Sequence, residues 1–489
     1  MVETIVNFLN SLLWGKLLVY ALVGAGLYFT VRLLFIQITH FGHSAKLMVT
    51  SREGCESGLS SFQVFCTSMA ARVGAGNMAG VAVAVSTAGP GAVFWMWVIA
   101  LLGMATAMVE STLAQVYKVR DKDGQFRGGP SYYMEKGLGQ RWMGVLFAIF
   151  LIISFGLVFN AVQANTITGA FSGVFGWQPE WIGVFLVVAS ALVIMGGLRK
   201  VARVSEVIVP IMALAYIAIA FVVVAMNISQ LPGIIVLIVK SAFGWQEVAA
   251  GGVAYTASQA LQAGIARGLF SNEAGMGSAA NVAASASPTP NHPASQGFVQ
   301  MVGVFMDTIV ICSATAAIIL LSGEWGTATS EDGIQLTISA LTHHVGTWGG
   351  LFVAGSILLF CFTSIIANYS YAETNVLFLT GNSRKAILIF KLLVLCMVMF
   401  GAVAKISVVW HLADLSMGLM ALVNILALVL LSGVAMRVIN DYREQLYAGV
   451  TPVFDKRKFP DLQAQIAEDI WNGEPAKTVE EAVPVKANI

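Results

Sequence analysis

Residues 70–80 read AARVGAGNMAG. They sit at the centre of the apolar run 61–89, SFQVFCTSMAARVGAGNMAGVAVAVSTAG, which is long enough to cross a bilayer. Its middle carries Arg72, Asn77 and the glycines Gly74, Gly76 and Gly80. Each glycine in a helix interior costs roughly 1 kcal/mol against alanine, and a charge at membrane depth costs more. A spanning helix weakened and charged at its midpoint calls for a use that outweighs those costs.

The surrounding sequence is that of a polytopic helical membrane protein. Of 489 residues, 57% are hydrophobic and only 11% are charged, and the mean hydropathy is +0.79. Soluble domains carry about 25% charged residues. The net charge of +1 says nothing about nucleic acid, but no basic stripe with interleaved aromatics appears, and no nucleic-acid partner is expected. The five cysteines, Cys55, Cys66, Cys312, Cys361 and Cys396, show no metal-ligand spacing and read as free thiols. The N-terminus lacks a basic stretch and a small-residue cleavage site, so its apolar segment reads as a retained helix.

Eleven spans are predicted, near 12–37, 61–86, 91–118, 142–171, 180–198, 204–227, 252–280, 294–322, 348–379, 384–404 and 410–437. The segment 231–243 is too short to span and is expected to lie at the interface. Residues 438–489 read as a polar cytoplasmic tail, partly helical at DLQAQIAEDIW and disordered at its end. Lys and Arg concentrate in alternate loops: Lys118 to Arg141, Arg199 to Arg203, Lys46 and Arg52, Arg384 and Lys385, and the tail. With cytoplasmic loops positive, this places the N-terminus outside and the C-terminus inside, as in a bacterial inner membrane.

A second segment repeats the pattern. Residues 252–285 are long, rich in small residues and polar at Gln262, Gly264, Arg267, Gly268, Asn272, Glu273 and Gly275. These two segments are spans two and seven. With span one set aside, the bundle divides five plus five, each half opening on an interrupted helix: spans 2–6 (about 59–228) and spans 7–11 (about 250–437). An odd number of spans per half makes the repeat inverted. Broken backbone at membrane depth survives only where it is buried in protein or lines a wet cavity. Paired broken helices point to a transporter's midplane site, where half-helix ends hold anionic groups and cations. Glycines can instead simply allow close helix packing. That alternative leaves the embedded arginines and amides unexplained.

The motifs GPGAVFWMWV (89–98), GQFRGGPSYYMEKGLG (124–139), FNAVQAN (159–165), RGLFSNEAGMGSAANVAA (267–284) and HPASQGFVQMVGVFMDT (292–308) resemble the alanine or glycine:cation symporter family from about residue 10 to the tail. The resemblance implies eleven helices in a LeuT-type inverted-repeat fold and sodium-coupled uptake of small neutral amino acids. It implies that Gly74, Gly76 and Asn77 receive the substrate carboxylate, and that Gln163 contacts substrate. It further implies that Gly264 and Ile265 form the unwound turn facing the ammonium, with Leu261 walling the pocket. In span nine, LLFCFTSIIANYSYAETN (358–375), it implies a sodium site of Thr363, Ser364 and the carbonyls of Ala70, Val73 and Phe360, with Ser364 also near substrate. Hydroxyls in membrane helices otherwise bond back to their own backbone. Many members carry tryptophan where this chain has Asn368, which implies a larger or more polar pocket, open to serine or glutamine as well as alanine and glycine. The resemblance implies sodium as the coupling ion, and no resident cofactor is expected.

Glu110, Asp307 and Asp414 are acids within spans three, eight and eleven, and are expected to pair with arginines such as Arg72 or Arg267 or else to serve proton coupling. Arg72 is expected to anchor its half-helix. Glu273 is expected either to cap the next half-helix or to act in an inner gate. DKDG (121–124) lacks the downstream ligands of a calcium loop. His343 and His344 are adjacent in sequence, a poor arrangement for holding one metal. No phosphate-binding loop or nucleophile elbow occurs, which disfavours ATP-driven transport and an intramembrane enzyme. Oligomeric state leaves no trace in the sequence.

Overall fold

The computed structural model describes residues 8–52, 58–245, 249–250, 253–254, 256–326, 333–381 and 383–474. Cys55, the first residues of the second repeat and the end of the tail lie outside these. Cys66, Cys312, Cys361 and Cys396 are free.

Apolar runs become helices here because only helices satisfy their own backbone in lipid. Among the described residues, eight helices are long and apolar enough to span: Phe8–Arg32, Gly91–Val116, Arg141–Phe175, Gly197–Met226, Pro293–Ser322, Thr347–Thr380, Arg384–Val403 and Ser407–Leu430. Pro179–Ile194 is shorter, with 16 residues. Leu231–Ala242 is a separate 12-residue helix that leaves Ile235 and Val236 half exposed.

The two segments singled out above are both interrupted. The first runs as Ser61–Arg72, capped by a reciprocal Ser60–Gln63 box, and stops at Val73, whose backbone is extended (φ −80°, ψ 93°). It resumes as a wide π turn, Gly76–Gly80, and continues to Ala88. The expected break at Val73–Asn77 is therefore where the helix opens.

The second break is displaced from its expected position. Ala257–Asn272 is one continuous helix, nucleated by a Thr256–Gln259 capping box, and it includes Gly264 and Ile265. These two do not form an unwound turn. Gly264 and Gly268 are packing glycines: a Cβ on Gly264 would stand 2.4 Å from the Ala92 carbonyl oxygen, and one on Gly268 2.7 Å from the Ile99 side chain. The chain breaks at Glu273–Gly277, where Glu273, Gly275 and Gly277 all take positive φ, and resumes as Ser278–Ala283. Ser278 donates to Glu273 Oε2 at 2.7 Å, so Glu273 ties the two halves together.

The polar C-terminal residues are docked against the bundle. The helix Ser432–Tyr447 runs through the 437/438 boundary expected between bundle and tail. Beyond it, Trp471 is 4% exposed. It donates to the Gln115 carbonyl at 3.0 Å, and the Lys118 ammonium lies 4.4 Å from its ring centroid. The only helix in DLQAQIAEDIW is the short turn Pro460–Gln463.

Candidate functional site

The first break frees backbone groups that a continuous helix would pair. The Ala70 and Val73 carbonyls would accept from the N–H groups of Gly74 and Asn77. Gly74 N–H instead donates to Asn77 Oδ1 at 2.9 Å, and Asn77 N–H donates to the Gly74 carbonyl at 3.3 Å. Ala75 N–H donates to Gln163 Oε1 at 2.8 Å. Two side-chain oxygens thus sit on the N–H groups of the broken turn.

The freed carbonyls converge on the Thr347–Thr380 helix. Ser364 Oγ lies 2.8 Å from the Ala70 carbonyl, 3.3 Å from that of Val73 and 2.9 Å from that of Phe360. Thr363 Oγ1 lies 2.9 Å from the same Phe360 carbonyl. Phe360, Thr363 and Ser364 are fully buried. The Ser364 hydroxyl has one proton and faces three carbonyl oxygens, so it can donate to one of them. The Thr363 hydroxyl serves the Phe360 carbonyl, so the single Ser364 proton leaves at least one of the freed Ala70 and Val73 carbonyls without a donor from this pair. Such a set suits a small hard cation, which takes oxygen ligands. Among the described residues no group of three or more His, Cys, Asp or Glu gathers as a metal site.

The other face of the break meets Asp307. Asn77 Nδ2 donates to Asp307 Oδ1 at 2.7 Å. Ser271 and Thr308 hydroxyls donate to Asp307 Oδ2 at 2.8 and 2.7 Å. Asp307 and Thr308 lie in a π stretch, Phe305–Cys312, inside the Pro293–Ser322 helix. π bulges re-aim side chains and recur at functional sites. The Asn77 amide is thus committed to a carboxylate within the protein. Among the described residues, no ion pair within 4.0 Å joins Asp307 or Glu110 to an arginine, contrary to the pairing expected for them. Glu110 instead accepts from Gly277 N–H and Asn424 Nδ2, both at 3.2 Å, beside the second break. Asp414 does pair, with Arg267 at 2.5 Å. Arg72 reaches the Gln300 carbonyl at 3.4 Å, which ties its half-helix to the Pro293–Ser322 helix.

Gly74, Gly76, Asn77, Gln163, Ala70, Val73, Phe360, Thr363 and Ser364 are therefore brought together. A Cβ on Gly74 would strike Ser364 Oγ at 2.4 Å and Gln163 Oε1 at 2.7 Å, so only glycine fits. Asn368, one turn beyond Ser364, donates to Asn160 Oδ1 at 3.2 Å. Asn160 shares a helix with Gln163. The Asn368 carbonyl oxygen is buried without a hydrogen-bond partner. Leu261, Gly264 and Ile265 are not part of this cluster. They precede Ser271 by six to ten residues, about 9–15 Å along a helix.

In their place stand Phe270 and Ser271, which flank Gly76 at 3.0 and 3.2 Å from a notional Cβ. Phe270 stacks on Phe159 with centroids 4.5 Å apart and packs against Trp410 at 4.8 Å. The Arg267 guanidinium lies 4.8 Å from the Trp410 ring centroid. Arg267 also lines a 370 Å³ cavity with Trp14, Gln259, Gln262, His411 and Asp414. Sequence reasoning missed this aromatic cluster. Phe270 sits inside a quoted motif, but nothing in it marks which aromatic turns inward.

These features define a multi-pass helical membrane protein with a buried polar site between interrupted helices, the build of a carrier. The comparisons agree and give the family. Residues 1–456 match the sodium:alanine symporter family, and the chain belongs to it. It is 50% identical to the probable sodium/glutamine symporter GlnT of Bacillus subtilis, over 93% of each chain. It is 48% identical to the amino-acid carrier protein AlsT of the same organism, over 96% of this chain and 98% of the relative. It is 36% identical to the sodium/alanine symporter AgcS of Methanococcus maripaludis, over 90% of this chain and 97% of the relative.

Proposed function

We infer that this chain takes up small neutral amino acids together with sodium, by alternating access around the first helix break. The observation that carries this reading is the Ser364 hydroxyl among three carbonyl oxygens, two of them freed by the break. Sodium is held there by Ala70, Val73, Phe360, Thr363 and Ser364. The substrate carboxylate takes the N–H groups of Gly74 and Ala75, displacing the oxygens of Asn77 and Gln163 that accept from them in this structure. Cation and carboxylate thereby share one unwound turn. Binding of either favours the arrangement that receives the other, as coupling requires.

The eight long helices, the two interrupted ones and Pro179–Ile194 together make eleven spans in this reading, arranged as a LeuT-type five-plus-five inverted repeat behind one extra helix. The cationic loops and the tail face the cytoplasm of an inner membrane. The 370 Å³ cavity is then the outer vestibule. Arg267 and Asp414 line it, and in this reading they part, with Trp410 and Phe270 packed next to Arg267, to admit substrate. Alanine and glycine fit the site, and the open acceptor on Asn368 favours substrates with a polar side chain, serine or glutamine.

A second reading, proton coupling, is favoured by one observation: the fully buried Asp307 carboxylate beside the break. Binding of radioactive sodium to the purified protein separates the two. Sodium coupling predicts saturable binding that alanine strengthens and that Ser364→Ala weakens ~10-fold or more, equivalent to about 1.4 kcal/mol. Absence of saturable sodium binding by the wild type would refute it.

A further inference from the structure

A second charged cavity, of 330 Å³, opens where the hairpin Val119–Arg127 meets the ends of the Thr347–Thr380 and Arg384–Val403 helices. Two of its lining side chains, Arg127 and Glu373, are each only 7% exposed. Arg127 Nε donates to Asp121 Oδ2 at 3.0 Å. Its Nη1 faces Glu373 Oε2 at 3.6 Å, too far for a hydrogen bond, and neither atom has a hydrogen-bond partner. A buried polar group left unbonded costs about 1–3 kcal/mol, and more when charged. Both residues line the cavity, and a small shift of either side chain brings these atoms to a ligand there.

The lining is charge-balanced. Arg127, Arg384 and Lys391 stand against Asp121, Asp123 and Glu373. Arg384 opens a 20-residue helix, whose free N–H groups and dipole add to the attraction for an anion. The mouth is apolar: Met195 and Leu388, also in the lining, are 49% and 53% exposed. Cations for an anionic group, carboxylates for an N–H cation and exposed apolar side chains for a hydrocarbon chain describe a single ligand class.

We propose that this cavity binds the headgroup of an ethanolamine phospholipid. The phosphate lies toward Arg384 and Lys391, and the primary ammonium donates to Glu373 Oε2 and Asp123. The acyl chains leave past Met195 and Leu388. A choline headgroup has no N–H to donate to carboxylates and is recognised by aromatic faces instead. A glycerol headgroup has no cation for Glu373. The site is separate from the helix break, since Glu373 lies nine residues beyond Ser364, about 14 Å along the helix. It requires membrane residence and is independent of the coupling ion.

Native mass spectrometry of the purified full-length protein, exchanged against an equimolar mixture of phosphatidylethanolamine, phosphatidylcholine and phosphatidylglycerol, tests the assignment. The ethanolamine lipid is expected to be retained several-fold over the other two. Asp123→Asn with Glu373→Gln brings its retention down to that of the choline lipid, and Arg384→Gln with Lys391→Gln lowers retention of all three. Asp123 is exposed, so Asp123→Asn alone keeps the fold and is expected to reduce the ethanolamine preference measurably, which guards against misfolding of the double variant. Equal retention of the three lipids, a preference for the glycerol lipid, or a preference unchanged in both acid-to-amide variants would overturn the proposal. Excess glycerophosphoethanolamine, which lacks acyl chains, is expected not to displace the lipid. Displacement would assign the cavity to a free solute and overturn the lipid as occupant.

Discussion

Asn77 donates its amide to the Asp307 carboxylate at 2.7 Å while its own oxygen accepts from Gly74 N–H at 2.9 Å. One side chain thus joins the first broken turn to a helix 230 residues away. Ser271 binds the same carboxylate, so the helix leading to the second break is held at the same point. Anything that reshapes the unwound turn is transmitted to both helices through Asp307.

Asp307→Asn replaces an acceptor of three hydrogen bonds by a group that can accept at only one atom. Hydrogen bonds to a charged group are worth about 1.5–3 kcal/mol. Initial uptake rates are expected to fall ~10- to 100-fold with the melting temperature in detergent changed little by comparison. An uptake rate within about twofold of wild type would contradict the role given to this carboxylate.

Asn368→Trp fills the space beside Asn160 and removes the buried open acceptor. Glutamine and serine are expected to compete with labelled alanine in the wild type and to lose that ability in the variant, while alanine uptake persists. Failure of glutamine to compete at high excess in the wild type would contradict the larger-pocket reading.

The Arg267–Asp414 pair, with both side chains 12% exposed, lines the 370 Å³ cavity. Asp414→Asn and Arg267→Gln are each expected to slow uptake. A double-mutant cycle on uptake rates is expected to give a coupling of about 1–3 kcal/mol. Additive losses would show that the two residues act separately.

Gly264→Ala places a methyl 2.4 Å from the Ala92 carbonyl oxygen. Overpacking of this kind costs about 1–3 kcal/mol. A lowered melting temperature is expected, together with an unchanged alanine half-saturation in the protein that remains folded. A large rise in half-saturation with unchanged stability would instead return Gly264 to the substrate site.

The first break was legible because its causes are local: Gly74, Gly76 and Asn77 cluster within four residues of an apolar run. The second was mislocated because glycine has two uses that look alike in sequence. Gly264 and Gly268 serve close approach to Ala92 and Ile99, a property of the neighbouring helix, whereas Gly275 and Gly277 serve positive φ. Glu273, a non-glycine at φ 59°, gives no local warning of a break. The sodium ligands expected from family resemblance do converge on one another. The partners of the three buried acids were out of reach, because helix rotation decides them: Asp414 meets Arg267, Asp307 meets Asn77, and Glu110 meets Gly277. The docking of Trp471 on Gln115 joins positions 356 residues apart and has no local signature at all.

The central claim is tested most directly by uptake of radiolabelled alanine into proteoliposomes holding the purified protein, with either an inward sodium gradient or an inward proton gradient imposed alone. Concentrative uptake driven by sodium, and lost in Ser364→Ala, is the predicted result. Uptake that follows the proton gradient and ignores sodium would contradict it.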